Sequence, residues 1–145
     1  MLPEGYEVST DPGRIDLDYV HHYLSRLSYW AGGIPREVVA RSIEHSIAFG
    51  LYAPEGRQVG FARIITDRTT FAWLADVFID PAEQGKGLGK GLVDAIMVHP
   101  DLQALRRFML VTADAHGLYE QYGFAAIDRP ERLMAIVRTD LYSQP

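Results

Sequence analysis

The sequence predicts an α+β domain built on a mixed, mostly antiparallel sheet with one parallel strand pair. Three observations carry that expectation. Runs rich in β-branched and aromatic residues between Phe49 and Ile79 are joined by short turns, which favours an antiparallel meander. A glycine cluster after them gives way to helical spacing and then to another strand, the order of a right-handed parallel crossover. The 145 residues, 48% hydrophobic and 23% charged, suit a single domain over 1–145 with a packed core.

Each element follows from local chemistry. Tyr6 to Thr10 reads as a short strand ended by the turn Asp11-Pro12-Gly13. Asp16 is a natural N-cap for a helix whose buried face holds Leu17, Val20, His21, Leu24 and Leu27. Tyr29 to Ile34 reads as a loop. Pro35 suits a first helical turn, and Val38, Val39, Ser42, Ile43 and Ile47 continue that second helix. Phe49 to Ala53, Val59 to Thr66 and Thr70 to Ile79 read as strands. Leu88, Leu92, Val93, Ile96 and Met97 recur at helical spacing, and Pro100 prevents continuation. Phe108 to Thr112 is a strand. Asp114 as N-cap and Gly123 just past the end frame a short helix over Ala115 to Tyr122. Phe124 to Ile127 and Leu133 to Val137 are expected to close the sheet as two further strands.

Composition excludes several chemistries. With no cysteine there is no disulfide scaffold, no Cys-ligated metal and no cysteine nucleophile. No His/Asp/Glu spacing suggests a metal site. The net charge of −5 argues against a nucleic-acid partner, and no apolar run approaches a membrane span. The opening residues lack signal-peptide regions, so a cytoplasmic location is expected.

Four glycines fall within Gln84-Gly85-Lys86-Gly87-Leu88-Gly89-Lys90-Gly91, between a strand and an amphipathic helix. Glycines there let backbone N–H groups converge on a ligand, and the helix adds unpaired N–H groups and a positive dipole end. Such a site suits a phosphate or pyrophosphate, with Lys86 and Lys90 as added charge. A Walker A loop counted from Gly85 requires glycine where Lys90 stands, and a dinucleotide fingerprint fails at the same residue.

Gln84, Gly87 and Gly89 instead spell Gln-x-x-Gly-x-Gly, which resembles the acyl-CoA-binding signature of the GNAT superfamily of N-acyltransferases. Asp76-Val77-Phe78-Ile79-Asp80-Pro81 resembles that family's strand and turn before the loop. Leu118-Tyr119-Glu120-Gln121-Tyr122-Gly123-Phe124 is similar to its Tyr-x-x-x-Gly-Phe segment. The resemblance runs over roughly residues 6 to 138. It implies a mostly antiparallel mixed sheet with a central parallel strand pair and helices on both faces. It also implies acetyl-CoA as acyl donor. The pyrophosphate would be held by the amides of Gly85, Lys86, Gly87, Leu88, Gly89 and Lys90 after Gln84. A bulged strand would offer the backbone of Val77, Phe78 and Ile79 to the pantetheine, with the Val77 N–H toward the acetyl carbonyl. Tyr119 would protonate the departing thiolate.

The general base stays open at this stage. The family's frequent glutamate maps onto Trp73, which cannot serve. Asp76 is a charged residue in an apolar strand, readable either as base or as a hydrogen-bonded structural carboxylate. Glu44, His45 and His116 are weaker candidates. Tyr29 and Trp30 are read as an aromatic wall of the acceptor site or as a loop anchor. The expected activity is direct acetyl transfer to a small-molecule or peptide amine. The alternative is a non-catalytic acyl-CoA-binding domain that keeps the pocket and has lost the chemistry. A homodimer through the terminal strands is compatible with the sequence.

Overall fold

The computed structural model describes residues 2–142; Met1 and 143–145, the ends of the expected 1–145 domain, lie outside them. Among the described residues five strands form one sheet in the order β1-β2-β3-β4-β5. They are β1 (Glu7–Ser9), β2 (Ile47–Tyr52), β3 (Gln58–Thr66), β4 (Phe71–Ile79) and β5 (Arg107–Leu110). The first four are antiparallel neighbours, and β4 with β5 is the parallel pair. The helices are α1 (Leu17–His22), α2 (Arg36–Glu44), α3 (Leu88–Met97) and α4 (His116–Glu120).

Alternation along the strands divides the core between two faces. Ile47, Phe49, Ala62, Ile64, Ala72 and Leu74 point to one face and pack under Leu92, Val93 and Ile96 of α3 and Tyr119 of α4. Ala48, Phe61 and Phe78 point to the other and pack under Val20, Leu24 and Val39. The helices therefore lie on both faces, as expected. Local signals act as the sequence suggests: the Asp16 carboxylate accepts from the Tyr19 amide at the start of α1, at 3.0 Å. Asp67 tightens the β3–β4 turn by accepting from the amides of Thr69, Thr70 and Phe71.

Four expectations are corrected. Ile47 opens β2 instead of ending α2, because α2 stops at Glu44 and the chain turns at His45. The first helix does not run on to Leu27 as α-helix; Tyr23–Leu27 is a π-helical turn closed by Ser28 N–H to the Tyr23 carbonyl, at 2.9 Å. Asp114 does not cap α4. The residue before that helix is Ala115, whose amide donates to the Thr112 hydroxyl at 3.0 Å. Finally, 124–127 and 133–137 join no sheet. Phe124 packs edge-on against Phe108 and Tyr119, and Arg129, in the left-handed region at φ 62°, begins a tight turn that diverts the chain.

Candidate active site

The pairing of β3 with β4 is interrupted at one place. β4 keeps a regular register with β3 from Ala72 to Leu74, and then the register shifts between Phe61 and Arg63. Asp76 sits there at φ 56°, in the left-handed region that non-glycine residues rarely adopt. The side-chain phase records the same bulge. Ala72 and Leu74 face α3, and so do Val77 and Ile79, an odd step later, whereas Phe78 faces the opposite core.

The parallel partner gives way at the same point. β5 pairs with β4 from Phe71 to Leu74 and no further. Beyond Leu74 the two strands part, and a cleft of about 750 Å³ opens between Ala75–Ile79 on one side and Leu110, Val111 and Thr112 on the other. Asp76, Val77, Phe78 and Ile79 all line it. The Phe78 ring is buried and stacked on Tyr23, with centroids 3.8 Å apart.

The glycine loop closes one end. Gln84, Gly85, Gly87, Leu88 and Gly89 line the cleft. Gly85 and Gly87 have φ 85° and 77°, and a Cβ on either would meet nothing within 4 Å, so conformation and not space selects glycine there. The first bond inside α3 runs from the Gly91 amide to the Gly87 carbonyl. The amides of Leu88, Gly89 and Lys90 therefore have no intrahelical acceptor and mark a site for an anion. The two lysines behave differently from the loop that carries them. Lys86 donates to Glu83 at 3.0 Å and Lys90 to the Tyr122 hydroxyl at 3.1 Å, and neither lines the cleft.

Tyr119 forms part of the wall and is buried, its ring edge-on to Phe124. Burial, and then the nearby Asp114 carboxylate, raise its pKa above the ordinary phenol value. It is therefore protonated through the neutral range. Among the described residues its hydroxyl has no hydrogen-bond partner, so its proton is uncommitted.

Asp76 holds the far end together. Its Oδ1 accepts from the Trp30 indole N–H at 2.9 Å, and its Oδ2 accepts from Arg63 Nε at 2.9 Å. Arg63 also donates to the Ser46 hydroxyl. The pair is largely buried, with side-chain exposures of 16% and 12%. The loop carrying Tyr29 and Trp30 is thereby tied to the bulge, and both rings line the cleft, 5.0 Å apart and edge to face. Of the other base candidates, Glu44, His45 and His116 do not line it.

Sequence reasoning missed several wall residues. Tyr23 and Leu27 reach the cleft from the π-helical turn, and Trp73 and Asp114 complete the aromatic and acidic lining. A signal for the Arg63–Asp76 link was present: both are lone charges in apolar strands, and the hairpin turning at 67–70 sets Arg63 opposite Ala75, one residue from Asp76. Among the described residues the charged side chains at the cleft are Asp76, Glu83 and Asp114, all acidic. Among the described residues no cluster of three or more His, Asp or Glu could hold a metal, and no helix is long and apolar enough to cross a membrane.

Comparison with known proteins gives a consistent picture. A sequence model of the acetyltransferase (GNAT) domain matches residues 44–126. The crystal structure of a candidate GNAT-family acetyltransferase from Xanthomonas campestris pv. campestris superposes with a TM-score of 0.94 at 49% identity. The match covers 99% of this chain and 100% of that one. A candidate acetyltransferase of Gibberella zeae is 36% identical over 135 residues, 79% of this chain and 75% of the relative. The chloroplastic serotonin N-acetyltransferase 2 of Oryza sativa subsp. japonica is 26% identical over 147 residues, 96% of this chain and 71% of the relative.

Proposed function

Because this chain belongs to the GNAT acetyltransferase family, we propose that its cleft binds acetyl-CoA between β4 and β5 and transfers the acetyl group to an amine. The observation that carries the reading is the coincidence of three features in one cleft: the bulge at Asp76, the amide-rich glycine loop and the buried, protonated Tyr119.

Acetyl-CoA supplies the acetyl group as a thioester and is consumed as a substrate. The amides of residues 85–90 hold its pyrophosphate, the loop's backbone and not its lysines providing the donors. The edge of Ala75–Ile79 that β5 leaves unpaired offers N–H and C=O groups to the amide-bearing pantetheine. The Val77 N–H donates to the acetyl carbonyl oxygen, where negative charge grows as the amine attacks. Loss of one such donor elsewhere costs roughly 3–4 kcal/mol. Tyr119 donates its proton to the leaving sulfur, a general-acid role that contributes about 10²–10⁴-fold, and the proton the amine loses passes to water and so restores the phenol. With no cysteine in the chain, transfer runs directly from thioester to amine without a cysteine-linked intermediate.

Asp76 acts here as a positioning residue. Both carboxylate oxygens are engaged, one by the acceptor-side loop and one by β3, so it fixes the bulge against Trp30. Acidic and aromatic lining favours an acceptor that is a cationic amine, a small molecule or a peptide. An amine-bearing acceptor also accords with the rice relative's name.

Two measurements test the proposal. Acetyl-CoA at a hundred times its dissociation constant should stabilise the protein by about 2.7 kcal/mol, a rise in melting temperature of several degrees. Release of free CoA thiol with a panel of amines should follow, read without protein thiol background. No thermal shift at millimolar acetyl-CoA contradicts the binding claim. A shift without thiol release for any amine leaves a binding domain and contradicts catalysis.

A further inference from the structure

The glycine loop is slung between two buried residues. Gln84, Gly85, Lys86 and Gly87 are exposed, while Glu83 before them and Leu88 after them are 8% and 2% exposed. Two of the four are glycines at positive φ, so the loop has little packing of its own and takes its shape from its ends. Leu88 is fixed in the ordinary way, among Leu51, Ala53 and Val59. Glu83 is not. Among the described residues it is the one acid so deeply buried, and a buried carboxylate requires partners.

Those partners come from three places in the chain. Tyr6, just before β1, donates its hydroxyl to Glu83 Oε1 at 2.7 Å. Lys86 of the loop donates to the same oxygen at 3.0 Å and to the Tyr6 hydroxyl at 3.2 Å. Arg57, from the turn between β2 and β3, approaches Oε2 at 3.8 Å. The segment that carries Tyr6 is itself held down. Leu2 packs on Gly91 of α3, where a Cβ would strike it, and Gly5, at φ 85°, lies against Pro54. Residues 2–6 therefore touch both ends of the glycine loop, Tyr6 at Glu83 and Leu2 at the first turn of α3. Glu83 lines the cleft and Tyr6 does not.

We propose that residues 2–6 brace the glycine loop through Glu83, and that Glu83 and Tyr6 are positioning residues for the pyrophosphate of acetyl-CoA. The inference rests on the acetyl-CoA reading of the cleft and adds two residues to it. Charge makes Glu83 a poor neighbour for such a ligand. A carboxylate at the cleft repels an anion, and this one also ties up the Lys86 ammonium. Its use is in shape. Held by Tyr6 on one side and Lys86 on the other, it pins the start of the loop so that the amides after it stay aimed at one place. A loop already in its binding shape loses less freedom when the ligand arrives, and affinity rises accordingly.

The test is titration calorimetry of the full chain with acetyl-CoA, beside steady-state kinetics. Charge alone predicts that Glu83→Ala tightens binding, since it removes a negative charge from the cleft and frees Lys86. The brace predicts the opposite sign: a dissociation constant raised about tenfold, the scale of one lost hydrogen bond to a charged group. Tyr6→Phe should raise it about threefold or more, from a residue outside the cleft. In both variants kcat at saturating acetyl-CoA and the KM for the amine should stay at wild-type values, a split that general loosening of the fold does not give. Tyr6→Phe keeps the packed ring and decides the matter should Glu83→Ala fail to fold. Equal or tighter binding by Glu83→Ala, wild-type affinity in Tyr6→Phe, or a loss shared by kcat and the amine KM overturns the brace alone. A wild-type protein that does not bind acetyl-CoA overturns the proposed function and the brace with it.

Discussion

Phe71–Leu74 and Ala75–Ile79 are the two halves of one strand, with similar apolar residues and opposite uses. The first half pairs on both edges, with β3 and with β5, and its Ala72 and Leu74 are buried in the main core. The second half pairs only with β3, and its other edge lines the cleft. What separates them is one residue, Asp76, held in a left-handed conformation by Arg63 and Trp30. A single inserted residue turns a paired strand into an open edge without adding a loop. The energy to hold it comes from a largely buried ion pair, which is costly to break and of modest worth when intact.

Substitutions can break this contrast in graded steps. Tyr119→Phe keeps the buried ring and removes the proton, so turnover should fall by about 10²-fold or more while acetyl-CoA affinity changes little. Steady-state rates and titration calorimetry read the two separately. Because burial and Asp114 raise the Tyr119 pKa, the wild-type rate should show no alkaline loss from this group up to pH ~10. Unchanged turnover in Tyr119→Phe removes the acid from the mechanism.

Leu74→Ala attacks the closed half. It should cost about 3 kcal/mol by leaving a cavity in the core under α3, visible as a lowered urea midpoint, with the folded fraction still binding acetyl-CoA. Asp76→Ala attacks the boundary. Leaving Arg63 without its carboxylate should cost about 2 kcal/mol. It should also shift Trp30 fluorescence and raise the KM for the amine more than that for acetyl-CoA. A Trp30 spectrum and amine KM unchanged from wild type would deny the positioning role. Gly87→Ala is the mildest. The added Cβ meets no protein atom, so stability should fall by only about 1 kcal/mol from the left-handed φ. Acetyl-CoA affinity should fall with it, read by titration, because the methyl stands where the pyrophosphate approaches.

Much of the fold was legible because it rests on local chemistry. The meander from Phe49 to Ile79, the Asp16 cap and the glycine loop before α3 each follow from side-chain type and spacing. What was hidden depends on tertiary context. Ile47 fits a helical face as well as a strand, and only the chain turn at His45 decides. Asp114 has the chemistry of a cap, but Ala115 stands at that position and its own amide donates to the Thr112 hydroxyl. Leu133–Val137 has the composition of a strand, yet a strand needs a neighbour, and this segment joins no sheet. The candidate site was legible as a list of positions. The bulge was not, since alternation of apolar residues around Asp76 looks continuous until the two core faces are known. The acidic and aromatic lining, with Tyr23, Leu27 and Asp114, comes from elements far apart in sequence.

The contrast between the halves of β4 can be tested directly by amide hydrogen exchange with and without acetyl-CoA, read at single-residue resolution. Saturating acetyl-CoA should slow exchange at Val77 and at the glycine-loop amides 85–90, and should leave Phe71–Leu74 as slow as before. No change at Val77, with protection elsewhere on the surface, would contradict the claim that the open edge of β4 is where the thioester lies.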